Sequence, residues 1–460
     1  MLSSTAGWLL AVGSITVLWA YLLIRQGPRV ALGAAMVLSF AFPVWIRMDI
    51  AGLPFNVRTA VAAIAMLGYS LHPRGKIILP LTLLDFCMAL MCIAHVTADT
   101  FAEGFTATLP LRAWGEWILP YIAGRYAIQS RDDLKTVAPW AVGVLVFIAI
   151  AAVFEALTKV NPFEVAFGDR PVELSKRTLE RLGLKRAFGP TTHAIYFGML
   201  MAMLMPWLVC LWQSFESRRI QALTVAAGII ALAGAVSTVS RTPMITVLAA
   251  SGLVAALQYR FLRWPTGLSM ILAALVFLIF PIQVTDALSR WTGGGDKVRL
   301  IEVDGRAVEY SGSRSRLLIL PTYSEALMKA GPTGFGSEAL ATFPPKIPYL
   351  AGTAALSDSM KIIDNGYVVL TLRFGWLGGC CLVLLLFTAI VTGLSLYRQR
   401  PDQLLPATLA CLLVVVAGFS LLLVSMNYDF GLPMLWTIGV LSGLMSAITR
   451  HRLERIPAFR

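Results

Sequence analysis

The stretch SMKIIDNGYVVLTLRFGWLGG (Ser359 to Gly379) begins polar and basic and becomes apolar at Asp364, Asn365 and Tyr367, with Arg373 inside the apolar part. An acid at such a join serves either as the N-cap of a helix beginning near Tyr367 or as a general base for a hydroxyl proton. Arg373 either pairs with an acid or lines a cavity, because a charge at membrane depth costs several kcal/mol otherwise. Two earlier arginines pose the same question. LKRAFGPTTHAIYFG (Leu184 to Gly198) places Arg186 before a Gly-Pro turn and His193 at the start of an apolar run. AVSTVSRTPMITVL (Ala235 to Leu248) places Arg241 in a short connection before Pro243, which can start the next helix. A guanidinium presents planar paired donors that match phosphate oxygens. Arg241 can instead be a snorkelling side chain, and His193 a structural hydrogen-bonding residue. Arg181, Arg314 and Arg316 add basic groups in the connections, where a solvated face is the alternative reading.

These residues sit between membrane spans. The chain has 460 residues, 57% hydrophobic and 14% charged, with mean hydropathy +0.74; soluble domains carry about a quarter charged residues. Thirteen apolar runs are predicted as spans, roughly 6–24, 29–46, 57–71, 76–96, 107–128, 136–157, 193–213, 220–237, 243–258, 266–285, 367–391, 405–425 and 430–448. The third and ninth are short and the fifth carries Arg112 and Glu116, which leaves twelve as the alternative count. The first run lacks a preceding basic residue and a cleavage site, and reads as a retained span. The organisation is then 1–157 N-terminal spans, 158–192 a basic outer loop, 193–285 central spans, 286–366 a large outer loop and 367–460 C-terminal spans with a tail. Lysine and arginine cluster on every second short connection, including Arg125/Arg131, which places those loops and the C-terminus in the cytoplasm. Two outer loops are nevertheless basic. VELSKRTLERLGLKR is predicted as an interfacial helix, and SRSRLLILPTYSEALMKA as a helix followed by a turn at GPTGFG.

Net charge is +13, but the lipid-facing surface points to membrane lipids as partners rather than nucleic acid. No P-loop, GxGxxG, HExxH or GxSxG motif occurs, the four histidines are scattered, and no metal or cofactor is expected. The six cysteines lie in apolar runs without CxxC spacing and read as buried hydrophobes. A transporter would show internal repeats and ionisable midplane residues; the charges gather on the outer side instead.

In order along the chain, KRAFGPTTHAIYFG, VSTVSRTPMI, SRSRLLILPTYSEAL with GPTGFG, and DNGYVVLTLRFGWLGG resemble the O-antigen ligase and polymerase superfamily, from about 180 to 380. The resemblance implies an all-α polytopic inner-membrane glycosyltransferase without metal or nucleotide sugar. Its substrate would be an undecaprenyl-diphosphate-linked glycan presented at the periplasmic face, with an acceptor glycan or lipid. A polysaccharide flippase and a chain-length regulator are candidate partners. Arg186 and Arg241 would bind the diphosphate, Asp364 would act as base, and Asn365 and Tyr367 would orient the sugar. His193, Arg181, Arg314 and Arg316 would be secondary substrate contacts. Ligases carry histidine where Asp364 stands, which tilts the expectation towards a polymerase of exopolysaccharide, capsule or O-antigen units. A ligase acting on lipid A-core or protein, and a flippase, are the alternatives.

Overall fold

A computed structural model describes residues 4–50, 52–73, 79–168, 180–181, 183–291, 299–303, 306–310, 315–340, 347, 363, 365–418, 429 and 431–454. It is an all-α membrane protein. Helices α1 (Ser4–Gln26) and α2 (Pro28–Ser39) lead through the hairpin β1 (Arg47–Ile50) and β2 (Leu53–Asn56) to α3 (Val57–Leu71) and α4 (Leu83–Glu103). Next come α5 (Thr108–Ala113), a π turn (Trp114–Ile118), α6 (Leu119–Ala127), α7 (Arg131–Thr158) and α8 (Pro162–Phe167). A two-residue ladder of β3 (Glu180–Arg181) and β4 (Leu184–Lys185) precedes α9 (Ala194–Leu204), α10 (Pro206–Ser214), α11 (Arg218–Ser237), α12 (Arg241–Gln258), α13 (Arg260–Ile279) and α14 (Pro281–Trp291). The hairpin β5 (Arg299–Val303) and β6 (Arg306–Tyr310) leads to α15 (Ser315–Lys329). The chain then ends in α16 (Gly366–Gln399), α17 (Leu405–Gly418) and α18 (Gly431–Glu454).

Among the described residues eight helices are long and apolar enough to cross a membrane, counting α9 and α10 as one, and α2, α3 and α17 are shorter apolar helices. Each of the thirteen predicted spans corresponds to a helix or helix pair, but polar caps move the ends. The fourth begins at Leu83 rather than near 76, because Thr82 and Asp85 form a reciprocal capping box. Ser130, Asn161 and His193 cap α7, α8 and α9 through their side chains, each accepting from a first-turn N–H. The interfacial helix expected at 172–186 does not extend through its end. Gly183 takes a positive φ of 76°, and Glu180–Arg181 folds back on Leu184–Lys185; 169–179 lie outside the described residues.

One large core runs through the bundle, with Trp117, Trp207, Trp436, Phe40, Phe197 and Phe374 among its buried members. A smaller one joins α15 to the start of α16 through Ile319, Tyr323, Ala326, Val368 and Leu372. Burial there pushes the Tyr323 phenol up to about 12. Arg125 is not a loop residue but lies buried in α6, ion-paired at 2.8 Å with Asp85 of α4, so its charge reports packing rather than orientation. Of the cysteines, Cys87, Cys210, Cys381 and Cys411 are buried, Cys92 is half-buried and Cys380 is exposed.

Candidate active site

The connection between α11 and α12 is a tight turn through Thr238, Val239 and Ser240. Val239 has φ of 44°, a left-handed conformation that a β-branched residue rarely adopts. Such strain persists only when neighbours over-determine it, and the neighbour here is the segment around Arg186. Ala187 N donates to Ser237 O at 3.0 Å. Arg186 Nε donates to Thr238 O at 3.3 Å, and its Nη2 to Ser240 Oγ at 2.8 Å. Ser240 is the N-cap residue of α12, and Arg241 is that helix's first residue, half-buried, at the positive end of the helix dipole. The helix thus starts two residues before Pro243. Val239→Gly removes a left-handed penalty of about 1–2 kcal/mol. It also removes a buried side chain worth about 1.5–3 kcal/mol and gives the unfolded chain more freedom. A net destabilisation of about 1 kcal/mol is therefore expected; a melting curve in detergent measures it.

The Arg186 segment is itself pinned from α7. Glu155, fully buried in the last turns of that helix, accepts from the N–H groups of Phe188 and Gly189 at 2.9 Å each and from Asn161 Nδ2 at 3.1 Å. Lys185 Nζ lies 3.5 Å from its other oxygen. His193 spends Nδ1 on the Ile195 N–H at 3.1 Å and packs against Phe188 and Tyr196. Its neighbour Thr192 donates its N–H and hydroxyl to Asp429, just before α18. Asp429 is buried, and its carbonyl accepts from the buried Arg58 of α3, whose guanidinium also lies over the Phe40 ring.

Asn365, rather than Asp364, is the N-cap of α16, and its Oδ1 accepts from Tyr367 N at 3.0 Å and Val368 N at 3.2 Å. Tyr367 Oη donates to Ala417 O at 3.3 Å, near the end of α17. Helix α17 packs against both α12, which begins at Arg241, and α16, so one helix links the two groups of predicted site residues. Arg181 lies on β3 and Arg316 in the first turn of α15; Arg314 and Asp364 lie outside the described residues.

Residues 226–383 match the family model described as O-Antigen ligase. The chain carries a domain of the O-antigen ligase and polymerase superfamily. No curated protein matches the sequence. The activity class that goes with the O-antigen ligase domain is glycan transfer of the ligase and polymerase type, on lipid-linked glycan, in a multi-pass bacterial membrane protein. The matched residues contain Arg241, Arg314, Arg316, Asp364, Asn365 and Tyr367 but stop short of Arg181, Arg186 and His193. The structure joins the unmatched part to the O-antigen ligase domain through Arg186, whose bonds end on Thr238 and Ser240. Glu155, Asp429 and Arg58 are the positioning residues that sequence reading missed. Their signal was a charge within or beside an apolar run, which in a membrane implies a partner.

Proposed function

We propose that the protein is an inverting, metal-independent glycan transferase of the inner membrane that uses undecaprenyl-diphosphate-linked oligosaccharide at the periplasmic face. In this reading it joins repeat units of an exopolysaccharide, capsule or O-antigen. The carrying observation is the strained turn that holds Arg186 against the start of the Arg241 helix. Two guanidiniums at one turn, beside the positive end of α12, are suited to a diphosphate. An acceptor hydroxyl oxygen attacks the anomeric carbon as the bond from that carbon to the diphosphate oxygen breaks. The electron pair leaves with the diphosphate, whose rising charge the arginines neutralise, and the hydroxyl proton passes to the Asp364 carboxylate. The alternating basic connections support an outer position for this end of the bundle. An aspartate in the ligase histidine's place favours the polymerase.

The test is purified protein in lipid vesicles with lipid-diphosphate-linked repeat units, scored as a ladder on a gel. A ladder is expected; a single transfer to lipid A-core would make the protein a ligase, and movement across the bilayer without transfer a flippase. Asp364→Asn should slow growth by about 10²-fold or more, the usual worth of a general base. Undiminished growth would remove that role.

A further inference from the structure

A second set of ionised side chains lies inside the bundle, and the donor site does not use it. Arg373 of α16 donates to both oxygens of Glu116 at 3.0 and 3.2 Å and through Nε to Ser337 Oγ at 2.6 Å. Ser337 in turn donates its hydroxyl and its N–H to Asp99 at 2.7 and 2.8 Å. His95 Nε2 lies 3.1 Å from Asp99, and Trp117 Nε1 donates to His95 Nδ1 at 3.0 Å. An indole nitrogen only donates, so His95 Nδ1 carries no proton and Nε2–H is aimed at Asp99. Glu116 sits in the π turn after α5, Asp99 and His95 in α4, and Ser337 in the segment after α15. Charges buried this deeply stay ionised only by holding one another, so three separate parts of the chain are tied at Arg373.

The backbone is tied at the same place. Helix α16 is broken at Gly375, with φ of 69° and ψ of −170°. In an unbroken helix the Leu372 and Arg373 carbonyls would accept from the N–H groups of Trp376 and Leu377. Here they accept from Phe335 N at 2.8 Å and Gly336 N at 3.0 Å, while Trp376 N and Leu377 N turn to Gly331 O at 2.9 Å and Pro332 O at 3.3 Å. The 331–336 segment therefore replaces the lost helix bonds one for one, which backbone at membrane depth requires. A Cβ at Gly375 would run into the Pro332 carbonyl. The piece of α16 from Gly366 to Phe374 is thus fixed at its far end by this lock and along its side by Val368 and Leu372 in the small core. Asn365 caps its near end.

We propose that Arg373 is a positioning residue whose lock with Glu116, Asp99 and Ser337 sets where the Asn365 end of α16 stands during transfer. The role rests on the glycan-transfer reading above. The lock governs the chemical step and not the binding of the lipid-linked donor, because the donor arginines sit on separate elements.

The test uses the full-length protein in nanodiscs, read by hydrogen exchange at 335–337 and by kcat and KM for chain growth. Ser337→Ala removes the hydroxyl that links Arg373 to Asp99 without removing a charge. Exchange at 335–337 should rise about tenfold or more and kcat fall about tenfold or more, with donor KM held within about twofold. Arg373→Lys, which keeps a charge for Glu116 but loses the fork that also reaches Ser337, should do the same and serves if Ser337→Ala fails to fold. Unchanged exchange would remove the lock; raised exchange with unchanged kcat would make it structural only; a rise in KM at constant kcat would assign it to donor binding. Any of these overturns the proposal. Arg241→Ala separates the two readings: it should retain wild-type exchange at 335–337, and full growth in that variant would remove the donor site while leaving the exchange result to judge the lock.

Discussion

Replacing Arg241 by alanine is expected to slow chain growth by about a thousandfold, and replacing Arg186 by alanine by a similar factor. Removing one charged or polar donor aimed at developing charge costs about 10²–10³ in rate, and in the proposed reaction that charge develops on the diphosphate leaving group. The two arginines should respond differently to lysine. Arg241→Lys keeps a positive charge at the start of α12 and should recover most of the loss, to within about tenfold of wild type. Arg186→Lys should recover little. Two donors of Arg186 are committed to Thr238 O and Ser240 Oγ, and an ammonium cannot span both while facing the site as a planar fork. Ser240→Ala alone should cost about tenfold, and the Arg186→Ala, Ser240→Ala pair should be non-additive because both act through one turn. The measurement is ladder growth under single-turnover conditions with donor KM determined in parallel. Growth within about threefold of wild type in Arg241→Ala would remove the diphosphate role.

The pattern of these residues along the chain was legible; the reasons they stand together were not. Hydropathy located a helix or helices at each predicted run, eight of them among the described residues long and apolar enough to cross a membrane. The short SR connection put Arg241 next to a helix start that the sequence assigned to Pro243. The strain at Val239 carries no local signature, since valine is an ordinary residue for the flanking helices. Thr192 and Asp429 meet across 237 positions; the charge of Asp429 beside an apolar run signals that it needs a partner but not which one. Arg373 was visible as a charge in an apolar run, with pairing to an acid as one reading; its acid lies 257 positions away in a π turn that no periodicity marks. Boundaries failed where side-chain caps outweigh hydropathy, as at Thr82, and where a single glycine reverses the chain, as at Gly183. Asn365 takes the cap that was one of the two readings of Asp364, because its Oδ1 reaches two first-turn N–H groups from one residue closer to the helix.

Glu155→Ala is expected to be the most damaging change outside the arginines themselves, through stability rather than charge at the site. Its carboxylate satisfies the N–H groups of Phe188 and Gly189 and faces Lys185 in a region closed to solvent. Leaving two buried N–H groups without acceptors costs about 1–3 kcal/mol each, and breaking a buried ion pair costs about 3–5 kcal/mol. These terms overlap, so a loss of about 3–5 kcal/mol is expected, seen as a large fall in melting temperature in detergent. Activity should fall with it even below the melting point, because Arg186 lies between Lys185 and Phe188 and moves with them. Glu155→Gln keeps one oxygen for the two N–H groups but turns an amide donor or a neutral oxygen towards Lys185, so it should fall between. Adding Lys185→Met to Glu155→Gln removes the stranded charge and should restore part of the stability, as replacing both members of a buried pair commonly does. If Glu155→Ala melts and polymerises like the wild type, the pinning of the Arg186 segment by α7 is not what holds the site.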